Sequence, residues 1–212
     1  MTGSRGRLIA FEGIDGSGKS TQARILADRL DAVFTFEPGA TPLGASLRAL
    51  LLDRDEAPVA ARTEALLMAA DRAQHIAQVI VPALESGNWV VTDRFSASTL
   101  AYQGFGRGLD RGQLEDLVGW ATSGLRPDLT VLLDLPVAVA AARRPGGASD
   151  RMESEGADFH QRVADGYLAL AAEGGDSWLV VDATEPVESI GSSIWGAVAV
   201  LAEPGDSARR PR

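Results

Sequence analysis

Cysteine is absent from the 212-residue chain, which excludes disulfides and thiolate-bound metals. Histidine is nearly absent too: His75 and His160 lie far apart in the chain and make a poor zinc pair. No stretch of about 18 consecutive apolar residues occurs, so no transmembrane helix is expected. Met1 to Arg7 lacks the apolar centre of a signal peptide, because the first apolar run already reads as a strand. A cytoplasmic protein is the expectation. Positive charge is in deficit, with 20 Lys and Arg against 29 Asp and Glu and a formal net charge of −9. That balance argues against broad binding to nucleic acid or to an anionic membrane. It leaves room for a small anionic substrate, because a local group of arginines outweighs a distant field. What the chain does have is a 45% hydrophobic content, enough for one sizeable core.

Short apolar runs alternate with helical spacing along the whole chain. Strands are expected at Leu8 to Phe11, Val33 to Phe36, Trp89 to Thr92, Leu129 to Leu135 and Trp178 to Val181. Between them the spacing predicts helices over Ser20 to Leu30, Leu43 to Leu52, Thr63 to Leu84 (bent or ended near Pro82), Ser96 to Tyr102, Gln113 to Thr122, Val137 to Arg144, Asp158 to Ala172 and Ile190 to Leu201. Residues 53 to 58 read as a charged connection and Gly104 to Gly108 as a flexible basic loop. Residues 1 to 7 and 203 to 212 read as flexible or disordered ends around a single domain from 8 to 202. Strands that are continuously apolar, each followed by a helix, imply an α/β fold: a parallel five-stranded sheet flanked by helices on both faces. In such sheets ligands sit outside the carboxyl ends of the strands.

The first strand end carries Gly13-Ile14-Asp15-Gly16-Ser17-Gly18-Lys19-Ser20, which fits G-x-x-x-x-G-K-[ST] at every fixed position. The glycines permit a ring of backbone N–H groups around an anion, and the following helix aims its N-terminus at the same place. In this pattern Lys19 bridges the β- and γ-phosphates of a nucleoside triphosphate and Ser20 ligates magnesium. No Asn-Lys-x-Asp guanine-reading segment is present, which argues against a GTPase switch. A later strand ends at Asp93-Arg94. If that strand neighbours the first, Asp93 can orient a magnesium-bound water and Arg94 can grip a phosphate with its planar fork. An ordinary ion pair at a strand end is the competing reading. Met68 and Arg72, four apart on a helix, share a face. Position 68 fits either simple core packing or the side of a flat base whose carbonyl Arg72 reads.

The segment Phe11-Glu12-Gly13-Ile14-Asp15-Gly16-Ser17-Gly18-Lys19-Ser20-Thr21-Gln22 resembles the opening of bacterial thymidylate kinases. Asp93-Arg94-Phe95-Ser96-Ala97-Ser98-Thr99-Leu100-Ala101-Tyr102-Gln103-Gly104 is similar to that family's signature. Further matches are Glu37-Pro38-Gly39, Ala70 to His75, Arg126 to Thr130, Asp150 to Glu153 and Asp182 to Thr184. The resemblance implies a P-loop nucleoside monophosphate kinase that phosphorylates dTMP with ATP and Mg2+ and forms a homodimer. It implies ATP contacts at Gly13, Ile14, Asp15, Gly16, Ser17, Gly18, Lys19, Ser20 and Thr21. It implies dTMP contacts at Asp15, Glu37, Arg48, Met68, Arg72, Arg94, Ser98, Thr99 and Tyr102, with the metal held by Ser20 and, through water, by Asp93. In the family the Arg72 equivalent reads the thymine edge, the Arg94 equivalent contacts the acceptor phosphate and the Tyr102 ring packs under the deoxyribose.

Arg143, Arg144 and Arg151 flank Pro145-Gly146-Gly147, a composition suited to a short mobile lid over about 143–153 that closes on ATP and excludes water. In the bacterial form of the family the lid supplies catalytic arginines, because the P-loop holds none; Ser17 here agrees. Lys19, Arg94 and these lid arginines are therefore the expected catalytic groups. Three positions depart from the family pattern: Met68 stands where phenylalanine is usual, Phe36 where arginine is frequent and Ala45 where glutamate is common. They imply weaker acceptor binding without loss of activity. The alternatives are another nucleoside or nucleotide kinase, or a nucleotide-binding module without catalysis.

Overall fold

A computed structural model describes residues 5–52, 58–143 and 150–202. Expectations that fall on 1–4, 53–57, 144–149 and 203–212, Arg144 among them, lie outside the described residues. Five strands, β1 (Leu8–Glu12), β2 (Val33–Phe36), β3 (Val90–Asp93), β4 (Leu129–Asp134) and β5 (Trp178–Asp182), form one sheet in the order β2-β3-β1-β4-β5. All pairings are parallel. β1 lies at the centre and is buried at all five positions, which explains its unbroken apolar run. Its two sides face different packing. Leu8 and Ala10 join Ile76, Ile80 and Leu84 in one cluster. Ile9 and Phe11 join the larger cluster with Ala23, Leu26 and Ala27.

The helices are α1 (Lys19–Leu30), α2 (Pro42–Leu52), α3 (Ala61–His75), α4 (Val81–Glu85), α5 (Ser96–Thr99), α6 (Arg111–Thr122), α7 (Val137–Arg143), α8 (Ala157–Gly174) and α9 (Val187–Ala202). The helical stretch expected over Thr63 to Leu84 passes through a π-helical segment at Ile76–Ile80, which joins α3 to α4, and ends at Glu85, three residues after Pro82. A proline lacks an N–H and crowds the carbonyl four residues back. Widening the preceding turn to i→i+5 bonding absorbs both effects without a break. Among the described residues no helix is long and apolar enough to cross a membrane.

Two expectations need correction. Residues 5–7 are not a loose leader: Gly6 N–H donates to Leu84 O at 2.9 Å, and Arg7 pairs with Asp128 at 2.7 Å. Nor is Gly104 to Gly108 a flexible loop, because α5 continues as a π-helical segment, Leu100–Gly106. Close packing on α8 is the cause. A Cβ on Gly106 would stand 2.6 Å from Phe159 Cε2 and 2.9 Å from Val163 Cγ2, and Gly166 on α8 likewise makes room for Phe105. Gly106→Ala is therefore expected to destabilise the fold by about 1–3 kcal/mol through overpacking. Gly119→Ala, with nothing within 4 Å, serves as the control and should be neutral or stabilising. A urea midpoint for Gly106→Ala equal to wild type would refute this packing argument.

Candidate functional site

Three strand ends converge on one place. β1 ends at Glu12 and passes into the glycine loop, which ends at Lys19, the first residue of α1. Gly18, the residue before α1, has a left-handed backbone. Gly13 has φ 137°, and a Cβ there would lie 2.6 Å from Leu133 O, so this turn demands glycine. The N–H groups of Lys19, Ser20 and Thr21 precede the first bond of the helix, Gln22 N–H to Gly18 O, and point with its dipole toward the loop. Lys19 Nζ folds over the loop, donating to Ile14 O at 2.9 Å and lying 3.9 Å from Asp15 Oδ1. Burial, with the positive charge of Arg94 nearby, lowers the Lys19 ammonium to about 8.

β3 lies beside β1, with Phe11 opposite Asp93, so the neighbour condition set by the sequence is met. Ser20 Oγ donates to Asp93 Oδ2, which brings the loop and the second strand end into contact. Asp93 Oδ1 is buried and has no hydrogen-bond partner.

Arg94 follows Asp93 with a left-handed backbone, φ 70°, costly for a residue with a side chain. Arg94 N–H donates to Phe11 O at 2.8 Å, and Thr92 Oγ1 donates to Arg94 O at 2.8 Å. This conformation turns the guanidinium back over the loop. Nη1 donates to Gly13 O at 3.2 Å, Ser98 Oγ at 3.2 Å and Tyr167 OH at 3.1 Å. Nη2 donates to Asp15 Oδ1 at 2.5 Å and Tyr102 OH at 3.1 Å. Burial alone would raise the Asp15 carboxyl, but the charges of Arg94 and Lys19 win and hold it well below the usual range. Burial likewise opposes the Arg94 charge, and Asp15 outweighs it, so Arg94 stays cationic.

Two clefts meet at this pair. One, of about 560 Å³ with its solvent mouth, is lined by Asp15, Glu37, Pro38, Arg48, Leu52, Met68, Arg72, Arg94, Ser98, Thr99, Tyr102, Gln103, Asp150 and Met152. All nine residues expected to contact an acceptor nucleotide are thus brought together. The other, of about 1120 Å³, is lined by Gly16, Gly18, Lys19, Ser20 and Thr21 with Arg24, Phe34, Phe36, Asp93 and Glu153. Asp15, Glu37, Arg48 and Arg94 line both. Arg48 Nη1 is tied to Pro38 O at 2.9 Å. Phe36 stands on the wall of the second cleft, and Ala45 is exposed and lines neither.

At the far end of the first cleft Arg72 is almost completely buried. Its Nε donates to Glu37 Oε2, Nη1 to Thr99 Oγ1 and Nη2 to Phe95 O, each at 2.8 Å. A guanidinium has five N–H donors. These three bonds leave one on each Nη for a ligand. Glu37 also meets His75 Nδ1 at 2.9 Å, and His75 Nε2 lies 2.6 Å from Thr35 Oγ1. Asp71, one residue before Arg72, accepts from Gly39 N–H at 3.0 Å and fixes the turn after Glu37. Burial, with Glu37 nearby, pushes its carboxyl up. Met68 is half-buried and lines the cleft beside Arg72.

The chain after 144–149 reaches both clefts through Asp150, Met152 and Glu153, but the arginines that flank 144–149 make contacts elsewhere. Arg143 Nη1 donates to Ala183 O at 2.9 Å. Arg151 N–H donates to Leu52 O at 3.1 Å, and its guanidinium stands 3.9 Å from Glu64. Neither arginine lines either cleft. Arg107, expected in a loop, is a bracket: it pairs with Glu64 at 3.1 Å and Glu155 at 2.5 Å.

Spacing missed two groups. Tyr167 is a buried aromatic on α8 that puts its hydroxyl on Arg94, Ser98 and Glu12. Glu12 was quoted only as part of a motif. A carboxylate at the end of an otherwise apolar buried strand was the available signal.

The profile of the thymidylate kinase family matches residues 11–194. A thymidylate kinase of Cupriavidus necator is 48% identical over 205 residues, 93% of this chain and 100% of that protein. One from a Synechococcus species is 50% identical over 197 residues, 87% of this chain and 93% of that protein. One from Desulfovibrio desulfuricans is 50% identical over 196 residues, 86% and 90% of the two chains. Extent and identity together leave no gap between the geometry and the lineage: this chain belongs to the thymidylate kinase family.

Proposed function

We propose that the protein transfers the γ-phosphoryl group of ATP to the 5′-phosphate of dTMP, giving ADP and dTDP. The observation that carries this reading is the meeting of the two clefts at Asp15 and Arg94. A triphosphate on the loop and a monophosphate under Arg94 would face each other across it. An oxygen of the acceptor phosphate attacks the γ-phosphorus while the bond to the β–γ bridging oxygen breaks, with no covalent enzyme intermediate. The enzyme's task is alignment and positive charge. Loop amides and Lys19 hold the donor phosphates, Arg94 and Arg48 the acceptor phosphate. Arg72 offers its two remaining N–H groups to the base, Met68 lies along the ring, and Tyr102 closes the sugar pocket with Ser98 and Thr99. Arg143, Arg144 and Arg151 are assigned to a lid that closes over the donor.

Magnesium fits the residues present. Asp93 Oδ1 is a buried, unpartnered carboxylate oxygen beside the Ser20 hydroxyl. Among the described residues there is no cluster of three or more His, Cys, Asp or Glu, which suits an ion held mainly by water and substrate phosphates. Ser20 would hold it directly and Asp93 through water; when bound it neutralises charge on the phosphate oxygens.

An ADP-release assay with ATP and a panel of dTMP, dUMP and thymidine tests the assignment. Turnover with dTMP above the others is expected. Turnover with thymidine alone would make it a nucleoside kinase, and ATP binding without acceptor-dependent turnover a binding module. Met68→Phe should lower the KM for dTMP, because a thioether gives a smaller stacking surface than a ring.

Lys19 gives the free protein a pH signature. Its ammonium, lowered to about 8, loses its proton as pH rises through that value, whereas bound phosphates favour the charged form. ATP binding should therefore take up a proton at about pH 8.5, and affinity should fall as pH rises further. Calorimetry in two buffers of different ionisation enthalpy reads the uptake; identical heats would contradict it.

A homodimer through α2 and α3 belongs to the same reading. Leu43, Leu50 and Leu66 are about half exposed on those helices, which pack on each other. Sedimentation velocity is expected to show a dimer for wild type and a shift toward monomer for Leu66→Glu. A monomeric wild type would remove this part of the proposal.

A further inference from the structure

Glu12 is an unusual occupant of a central buried strand. Its carboxylate is fully buried one residue before Gly13, and both oxygens are filled. Oε1 accepts from Phe95 N–H at 2.9 Å and Ser98 N–H at 3.2 Å. Oε2 accepts from Ser98 Oγ at 2.6 Å and Tyr167 OH at 2.9 Å. Among the described residues no cation pairs with Glu12 directly. The charge is reached through the two hydroxyls, each of which also accepts from Arg94 Nη1.

Arg94 only donates, and each hydroxyl owns one hydrogen. With Ser98 and Tyr167 accepting from Arg94 Nη1, their own hydrogens are free to go to Glu12, and an ionised carboxylate then accepts all four bonds, two on each oxygen.

We propose that Glu12 is a positioning residue for phosphoryl transfer. Its ionised carboxylate aims the Arg94 guanidinium through the Ser98 and Tyr167 hydroxyls, and its bonds to the Phe95 and Ser98 N–H groups fix the turn from which Arg94 projects. The inference rests on the assignment of Arg94 to the acceptor phosphate. α5 has no side-chain cap of its own, and Glu12 supplies one from across the sheet. The left-handed backbone of Arg94 needs such a clamp.

Burial pushes the Glu12 carboxyl up, against the opposing effects of Ser98 and Arg94. Its charged and titratable neighbours are Asp93 from β3 and Arg94 just after it, Tyr102 from the π-helical segment, Tyr167 from α8, and Asp15 and Lys19 from the loop and α1. Asp15 is held low, both tyrosines are pushed up, and Lys19 titrates on the basic side. An acid limb in kcat that is present in wild type and lost in Glu12→Gln belongs to Glu12.

Wild type, Glu12→Gln, Tyr167→Phe and the double variant are assayed from about pH 5 to about pH 9 for kcat and for each KM. In Glu12→Gln an amide NH2 confronts donors, and kcat/KM for dTMP should fall about 30-fold with the KM for ATP within about twofold. Its acid limb should flatten relative to wild type; ionisation of dTMP itself affects both proteins equally. Tyr167→Phe should lose about five- to tenfold in the same parameter, and the double variant should be no worse than Glu12→Gln. Unchanged kinetics, equal losses toward both substrates, or a fully additive double variant would overturn the proposal. If Glu12→Gln does not fold by circular dichroism, Tyr167→Phe decides alone, and unchanged dTMP kinetics in it overturns the proposal. Wild type without dTMP-dependent turnover would bring down the Arg94 assignment first, and this inference with it.

Discussion

Lys19→Ala is expected to lower kcat by about 10³-fold or more, because a preorganised charge on the migrating phosphoryl group counts most in the transition state. Folding should survive. Lys19 makes one hydrogen bond, to Ile14 O, and its nearest carboxylate stands 3.9 Å away. The ammonium is buried and its charge disfavoured there, so removing it relieves a desolvation cost in the empty protein. Thermal unfolding should thus show no loss of stability, and ATP should still bind through the loop amides, more weakly. Stopped-time ADP measurement at saturating ATP and dTMP checks the rate. Near-normal turnover would contradict the role given to Lys19.

Arg94→Ala should be comparably damaging but on the other substrate. The KM for dTMP should rise and kcat fall, for a combined loss of about 10³-fold in kcat/KM for dTMP, with the KM for ATP little changed. Arg94→Lys should recover only a small part, because an ammonium cannot present two parallel N–H groups to a phosphate. Asp15 is the partner to watch. It accepts from Arg94 at 2.5 Å and from Tyr102 OH at 3.0 Å. Without Arg94 its carboxyl should rise toward the ordinary range, since that guanidinium is the foremost charge holding it down. A carbon-13 titration of Asp15 in the variant reads that rise directly. Steady-state kinetics showing equal losses for ATP and dTMP would undo the division of labour between loop and arginine.

The glycine loop was legible because its chemistry is local: backbone conformation, helix start, lysine and serine lie within eight consecutive positions. Asp93 and Arg94 were legible as a strand end, and their meaning depended on which strand stood next to β1, which the register of Phe11 with Asp93 supplies. The acceptor set came from the resemblance rather than from periodicity. For Met68, spacing could not choose between core and cleft. What stayed hidden depends on partners distant in the chain. Glu12 takes its hydrogen bonds from residues 83, 86 and 155 positions away. Tyr167 looks like any aromatic on the buried face of α8 until its hydroxyl is placed. The π-helical segments escaped because an i→i+5 turn has no period of its own; Pro82 and the fit of Gly106 against Phe159 impose them.

The central claim is that loop and Arg94 present two phosphates to each other for a single direct displacement. ATP made chiral at its γ-phosphorus with oxygen isotopes, turned over with dTMP, tests this most directly, with the configuration read in the β-phosphorus of dTDP. Inversion is the predicted result. Retention would mean that the phosphoryl group rests on the protein between two displacements, and the facing arrangement of the two clefts would then not be how the reaction proceeds.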